Sequence, residues 1–309
     1  LHQFYEALRK NAYVTGNPFG SVRPSVDGKK TRIMDTSRSL SASDLNLVRE
    51  ALATLPGLSS PDLLEAALAR RIKLILHLAL TTGMRLDEIA NATLTSLRRP
   101  DVDDIESDAE WMISVTGKGS KVRDLPIQES VLTMIRAHHA DWIALMPAAD
   151  HRRKAFEATP PLIAALQAPV RSKHRDITDE TVLANDNAAL GRDGLARTLK
   201  TFFRQTSKRG LSALASQLQL AEANSSTKAA EIQRLKREIE KFKRIETMST
   251  HWLRHTFAKG VIRNNEGDEG LKLAQQLLGH QSISTTAQYV KQDESGKVKA
   301  ARKVNPLGF

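Results

Sequence analysis

Thr250–Val290 reads THWLRHTFAKGVIRNNEGDEGLKLAQQLLGHQSISTTAQYV. Within it stand His251, Arg254 and His255, then His280 inside LLGH, then a single tyrosine, Tyr289. Residues three apart share a face of a helix, which sets His251 beside Arg254. An imidazole next to a guanidinium suits a phosphate: the guanidinium offers a planar fork of donors and the histidine a tunable one. A tyrosine adds a phenolic oxygen able to attack phosphorus and hold it covalently. Together these residues point to phosphodiester chemistry without a metal. Singly, each has a plain structural reading: a hydrogen-bonded histidine, an arginine on a surface, a tyrosine at a core edge.

The order and spacing of HWLRHTFA, LLGHQSISTT and Tyr289 resemble the tyrosine recombinase, or phage integrase, family. That resemblance implies an upstream arginine in a TGxRxxE segment and a lysine on a β-hairpin. TTGMRLDEI answers the first. Gly83 interrupts a helical run there and Arg85 stands near the restart, where backbone N–H groups favour an anion. Glu88 lies one turn on and can orient the guanidinium, or simply form an intrahelical salt bridge of little worth. For the second, Trp111 to Thr116 and Lys121 to Ile127 read as two strands joined by GKGS, with Gly117 and Gly119 able to take positive φ. A lysine at such a tip can protonate a leaving alkoxide. The resemblance selects Lys118, with Lys121 in reserve.

Carried over in this way, the catalytic set is Arg85, Lys118, His251, Arg254, His280 and the nucleophile Tyr289, supported by Glu88, with no cofactor and no metal. The implied fold is mainly α with a small antiparallel β-sheet (α+β). The implied activity is site-specific recombination or integration: duplex DNA is cut and rejoined through a 3′-phosphotyrosyl intermediate. A type IB topoisomerase-like relaxation enzyme and a catalytically inactive DNA-binding accessory protein are the alternatives. The partners implied are double-stranded DNA and further copies of the chain in a synaptic multimer, in a bacterial, phage or mobile-element setting.

Composition agrees with a polyanionic partner. The 309 residues carry 46 Lys and Arg against 35 Asp and Glu, a net charge of +11. Hydrophobic residues make up 40% and charged ones 26%, an ordinary globular balance. Without cysteine the chain has neither a thiolate nucleophile nor a zinc-thiolate site. No apolar run has the length of a membrane span and no signal-peptide pattern opens the chain, so a cytoplasmic protein is expected. The start at Leu1 without methionine suggests an N-terminal truncation.

Along the chain, Leu1 to Tyr13 carries a helical stripe that ends in a Gly- and Pro-rich stretch. With the resemblance, residues 1–38 are expected to be the last helix of a truncated N-terminal DNA-binding domain plus a linker, and 39–309 the catalytic domain. Ser41 and Asp44 form a capping arrangement before Leu45, Val48, Leu52 and Leu55, and Pro61 opens a second helix. The acidic run Asp101 to Asp108 reads as a solvated loop. Ser130 to Leu145 is expected to be helical, with His138 and His139 at the surface. An irregular insertion is expected at about 147–190. Gly194 to Arg209 reads as a helix with Leu195, Leu199, Phe202 and Phe203 inward, and Arg197, Lys200 and Arg204 outward as candidate DNA contacts. Leu211, Leu214, Leu218 and Ala221, then Ile232, Leu235, Ile239 and Phe242, repeat a three-four-three spacing on either side of a polar break. They predict an inserted helical hairpin at about 210–247. Its basic second helix suits DNA phosphates, a neighbouring subunit, or a simple cover for the domain.

Overall fold

The computed structural model describes residues 2–18, 38–100, 111–117, 120–150, 152–166, 188–224, 228–265, 267–280 and 282–291. The chain divides into two units, Leu1–Asp35 and Thr36–Phe309. The first holds α1 (His2–Lys10), whose Arg9 donates to Glu6 at 3.0 Å.

The second unit is mainly helical around a three-stranded antiparallel sheet, as the sequence leads one to expect. It opens with α2 (Ala42–Ala53), where Ser41 and Asp44 form the anticipated capping box. The helix α3 (Leu63–Thr82) starts at the Asp62 cap and stops at Gly83, which sits at φ 62°. Its Leu74, Ile75, Leu76 and Leu78 are wholly buried, so this helix is the centre of the core rather than a surface amphipath. A short α4 (Leu86–Asn91) follows at once.

The sheet has the order β1 (Leu97–Arg98), β2 (Trp111–Thr116), β3 (Val122–Ile127), with Thr116 opposite Val122 at the turn. Pro126 lies in the edge strand, where a missing N–H costs least. Among the described residues of the turn, Ser120 has a positive φ, 58°, and Gly117 does not; Lys118 and Gly119 lie outside the described residues, as does the acidic run at 101–108.

α5 (Glu129–Leu145) packs along α3. His138 and His139 are buried on it, contrary to the surface placement expected. His138 Nε2 accepts from the Ala164 N–H at 2.9 Å, and His139 Nε2 lies 2.8 Å from the Pro161 carbonyl. They escaped the sequence reading because their partners are backbone groups of the next segment, which leave no trace in helical periodicity. That segment is also less irregular than expected. α6 (Arg152–Ala158) stacks Phe156 on Trp142 at 4.1 Å, and Leu162, Ile163, Ala164 and Leu166 are buried. Residues 167–187 lie outside the described part.

The expected break near Arg209 is absent. α7 (Arg192–Ala223) runs unbroken for 32 residues, and α8 (Ala229–Glu246) returns along it. The hairpin is therefore a projection of a core helix, not a separate pair. Leu195, Leu199, Phe202 and Phe203 are buried as expected. On α8, Lys241 pairs with Glu238, Lys243 with Glu240, and Lys236 with Glu222 across the hairpin. Arg244 donates to the Ser39 carbonyl and lies 3.6 Å from Asp44, tying the hairpin to the start of α2. These basic groups serve contacts within the chain. Three further helices complete the unit: α9 (Thr250–Asn264), α10 (Gly267–Leu278) and α11 (Ile283–Lys291).

Candidate active site

Four segments bring the expected residues together. α9 packs between α3, α10 and α11, so the HWLRH face lies beside the end of α3 and the start of α4. Arg254 is buried on that face and donates to the backbone carbonyls of Gly83 and Leu278. One guanidinium thereby joins the TTGMR turn to the LLGH turn. Burial, and after it the charge of Arg85, pulls this group down to about 10, so it stays cationic at neutral pH.

Arg85 caps α4 and is about one-third exposed. Its backbone N–H donates to Glu88 Oε2 at 2.7 Å and its Nη1 to Oε1 at 3.0 Å. Burial alone pushes the Glu88 carboxyl up, but hydrogen bonds from Arg123 and then from Arg85 outweigh it and hold the group below its ordinary value. Glu88 is thus the buried anion that lets cationic side chains crowd together.

An open groove of about 730 Å³ is lined by Arg85, Gly117, Lys121, Arg123, Gly279 and His280, among others. On the other side of Arg85 a small cleft of about 100 Å³ is lined by Arg85, Arg192, His251 and Arg254. His280 follows Gly279 at the end of α10, and its Nδ1 lies 3.0 Å from the Thr286 hydroxyl. Burial, then the charges of Arg254 and Arg85, depress its imidazole to about 4, which leaves it neutral at pH 7. Its ring is parallel to that of Tyr289 at 6.4 Å.

Tyr289 lies on α11, 2% exposed, with its hydroxyl 2.7 Å from His255 Nδ1. Burial raises the phenol to about 12, against the pull of Arg254 and Arg85. His251, one turn before His255, is exposed at the mouth of the cleft, its ring 6.2 Å from that of His255.

The structure therefore gathers Arg85, Glu88, His251, Arg254, His280 and Tyr289, and sets the reserve lysine, Lys121, on the groove. Lys118 falls outside the described residues. Arg197, Lys200 and Arg204 are exposed along α7, whose first residue, Arg192, pairs loosely with Asp87 of α4 at 3.4 Å. Two residues were missed. His255 follows His251 by four, a helical neighbour on the same face. Arg123 shares the inward side of β3 with the buried Leu125 and Ile127, so strand alternation alone marked it as an arginine pointing into the core.

Residues 171–295 match the model of the phage integrase family. The chain is similar to tyrosine recombinase XerD of Lacticaseibacillus casei, 24% identical over the whole of this chain and 75% of that protein. It is also similar to tyrosine recombinase XerC of Alcanivorax borkumensis, 25% identical over 95% of this chain and 66% of that protein. Among solved structures, the XerH recombinase bound to its difH substrate matches with a TM-score of 0.48 and 16% identity, over 85% of this chain and 53% of that one. The chain thus spans about half the length of XerH. The Tn1549 transposon integrase bound to circular-intermediate DNA matches with a TM-score of 0.40 and 14% identity, over 97% of this chain and 74% of that one.

Proposed function

We propose that the protein is a site-specific DNA recombinase that cuts and rejoins duplex DNA through a 3′-phosphotyrosyl intermediate. The observation that carries this reading is the convergence of two arginines, a neutral histidine and a buried phenol around the end of one open groove. The scissile phosphate lies in the groove beside Arg85, with Arg254 behind it. Their guanidiniums stabilise the charge that develops on the nonbridging oxygens, where one lost donor typically costs about 3 kcal/mol. His280 donates a further hydrogen bond.

Tyr289 attacks phosphorus as its proton passes to His255 Nδ1, the group its hydroxyl already touches. His251, at the mouth of the cleft, then has the task of holding the phosphate. The new bond joins the phenolic oxygen to phosphorus, the bond from phosphorus to the 5′ oxygen breaks, and the departing oxygen takes a proton from Lys118, with Lys121 in reserve. Attack by a second 5′ hydroxyl reverses the step, since the phosphotyrosyl link conserves the bond energy.

Burial of Tyr289 fits a resting state that the approach of DNA opens. The exposed cations Arg197, Lys200 and Arg204 hold the duplex backbone on one side. Residues 1–38 are the end of a DNA-clamping domain and its linker, and copies of the chain assemble on DNA into a synapse. Trapping on nicked duplexes of randomised sequence tests the reading, with the adducted peptide mapped by mass spectrometry. An adduct at Tyr289 supports it; an adduct elsewhere, or none from the wild type, overturns it.

A further inference from the structure

Arg123 has no part in the chemistry above, yet it lines the groove and bonds to two separate segments. It is 11% exposed and spends all three nitrogens inside the protein. Nη1 and Nη2 donate to the two oxygens of Glu88 at 2.8 and 2.7 Å, and Nε donates to the Leu277 carbonyl at 2.8 Å. The first contact is a two-pronged guanidinium–carboxylate pair, the strongest such geometry. The second satisfies one of the carbonyls left open at the end of α10. Glu88 returns the connection to Arg85 through that residue's backbone N–H and Nη1, so each carboxylate oxygen accepts one bond from each arginine.

Two glycines make room for this arrangement. A Cβ on Gly117 would meet Arg123 Nη1 at 3.2 Å and Glu88 Oε1 at 3.4 Å. A Cβ on Gly279, which is also at φ 63°, would meet Arg123 Cδ at 3.1 Å. The Arg123 side chain is thus flanked by the hairpin turn and by the turn that delivers His280. Gly117 and Gly279, far apart in sequence, share one physical reason.

We infer that Arg123 is a positioning residue: by clamping Glu88 and the end of α10 at once, it sets Arg85, His280 and Lys121 at fixed distances around the phosphate. Three of the five N–H groups of Arg123 are engaged inside the protein, so the guanidinium is held on Glu88 and Leu277 rather than free to follow a phosphate. Lysine cannot replace it, since an ammonium has no fork to span both carboxylate oxygens while also reaching Leu277.

The inference rests on the recombinase reading for its rate effects, and the test separates the two. Adduct formation on nicked duplex, duplex affinity and melting temperature are measured for wild type, Arg123→Ala, Arg123→Lys, Arg85→Ala and the Arg85→Ala/Arg123→Ala double variant. Misplacement of about 1 Å costs roughly 100-fold in rate, so both Arg123 variants slow adduct formation by about that factor while duplex affinity stays within about threefold. The double variant is slower than Arg85→Ala alone by clearly less than the full Arg123→Ala factor, because part of the Arg123 effect acts through Arg85. Effects that multiply, or an Arg123→Lys variant as fast as wild type, overturn the inference.

Hydrogen exchange supplies the readout that needs no activity. In Arg123→Lys, exchange rises at 85–91 and at 275–281 together; unchanged exchange at either segment overturns the clamp. If the wild type forms no adduct yet exchange rises at both, the recombinase reading falls and the clamp stands.

Discussion

The Tyr289 hydroxyl lies 2.7 Å from Nδ1 of His255, and both side chains are buried. His251, the histidine that family resemblance puts forward, is exposed one turn away. On the proposed mechanism, the contact with Tyr289 makes His255 the acceptor of the phenolic proton. Replacing it with phenylalanine keeps the ring's bulk and removes the acceptor. General-base assistance is worth about 100-fold or more, so His255→Phe slows formation of the tyrosyl adduct by at least that factor with duplex affinity unchanged. Single-turnover trapping gives the rate, and a His255→Phe rate equal to wild type sinks the assignment.

Tyr289→Phe separates chemistry from stability. The variant forms no covalent adduct under conditions in which wild type does. It also loses one buried hydrogen bond, worth about 1 kcal/mol, which for a domain of this size lowers the melting temperature by roughly 2–4 °C. A melting temperature equal to wild type would mean that the hydroxyl has no structural share in the resting state.

The buried histidines set the acid limit of the fold. His138 is driven down to about 3 by burial, then by His139 and Arg71, with Asp141 opposing, and its Nε2 accepts from a backbone N–H as only a neutral ring can. His280 is depressed to about 4. Both folded values lie below the unfolded histidine value, so the unfolded chain binds more protons and stability falls with falling pH. The contribution is fully present above about pH 6.5 and is lost as pH drops through 4 and then 3. Melting curves from pH 7.5 to pH 4 show this directly. In His138→Gln, whose amide oxygen accepts the same bond without titrating, the acid slope is shallower; parallel slopes count against His138 as a source.

How much of this was legible depended on where a residue's partner lies. The capping box at Ser41, the buried face of α3, the hairpin strands and the inward residues of α7 all follow from local spacing, and the structure agrees with each. Arg85, Arg254, His280 and Tyr289 were found as a set through motif spacing, and the fold brings them together. His138 and His139 were misplaced because their hydrogen-bond partners lie 26 and 22 residues downstream, respectively. Arg123 went unread for a related reason: its partners come from α4 and α10, and only the alternation of β3 hinted that it turns inward. The unbroken α7 was hidden because its core stripe, ending at Phe203, and its hairpin stripe, starting at Leu211, lie on either side of Gly210, which is a contact point.

That contact fixes how the hairpin closes. A Cβ built on Gly210 would meet the Phe242 ring at 2.1 to 2.3 Å, closer than any ring can tolerate without moving. Glycine here lets α8 lie against α7, and its helix-weakening cost of about 1 kcal/mol is offset by that packing. Alanine at this position should raise intrinsic helix stability, so a simple propensity argument predicts stabilisation. The steric argument predicts the reverse: Gly210→Ala destabilises by about 1–3 kcal/mol as the ring is forced away. Adding Phe242→Ala relieves the clash, so the double variant is less destabilised than the sum of the two single changes. A thermal double-mutant cycle measures that coupling, and a Gly210→Ala protein that melts above wild type refutes the close approach of the two helices.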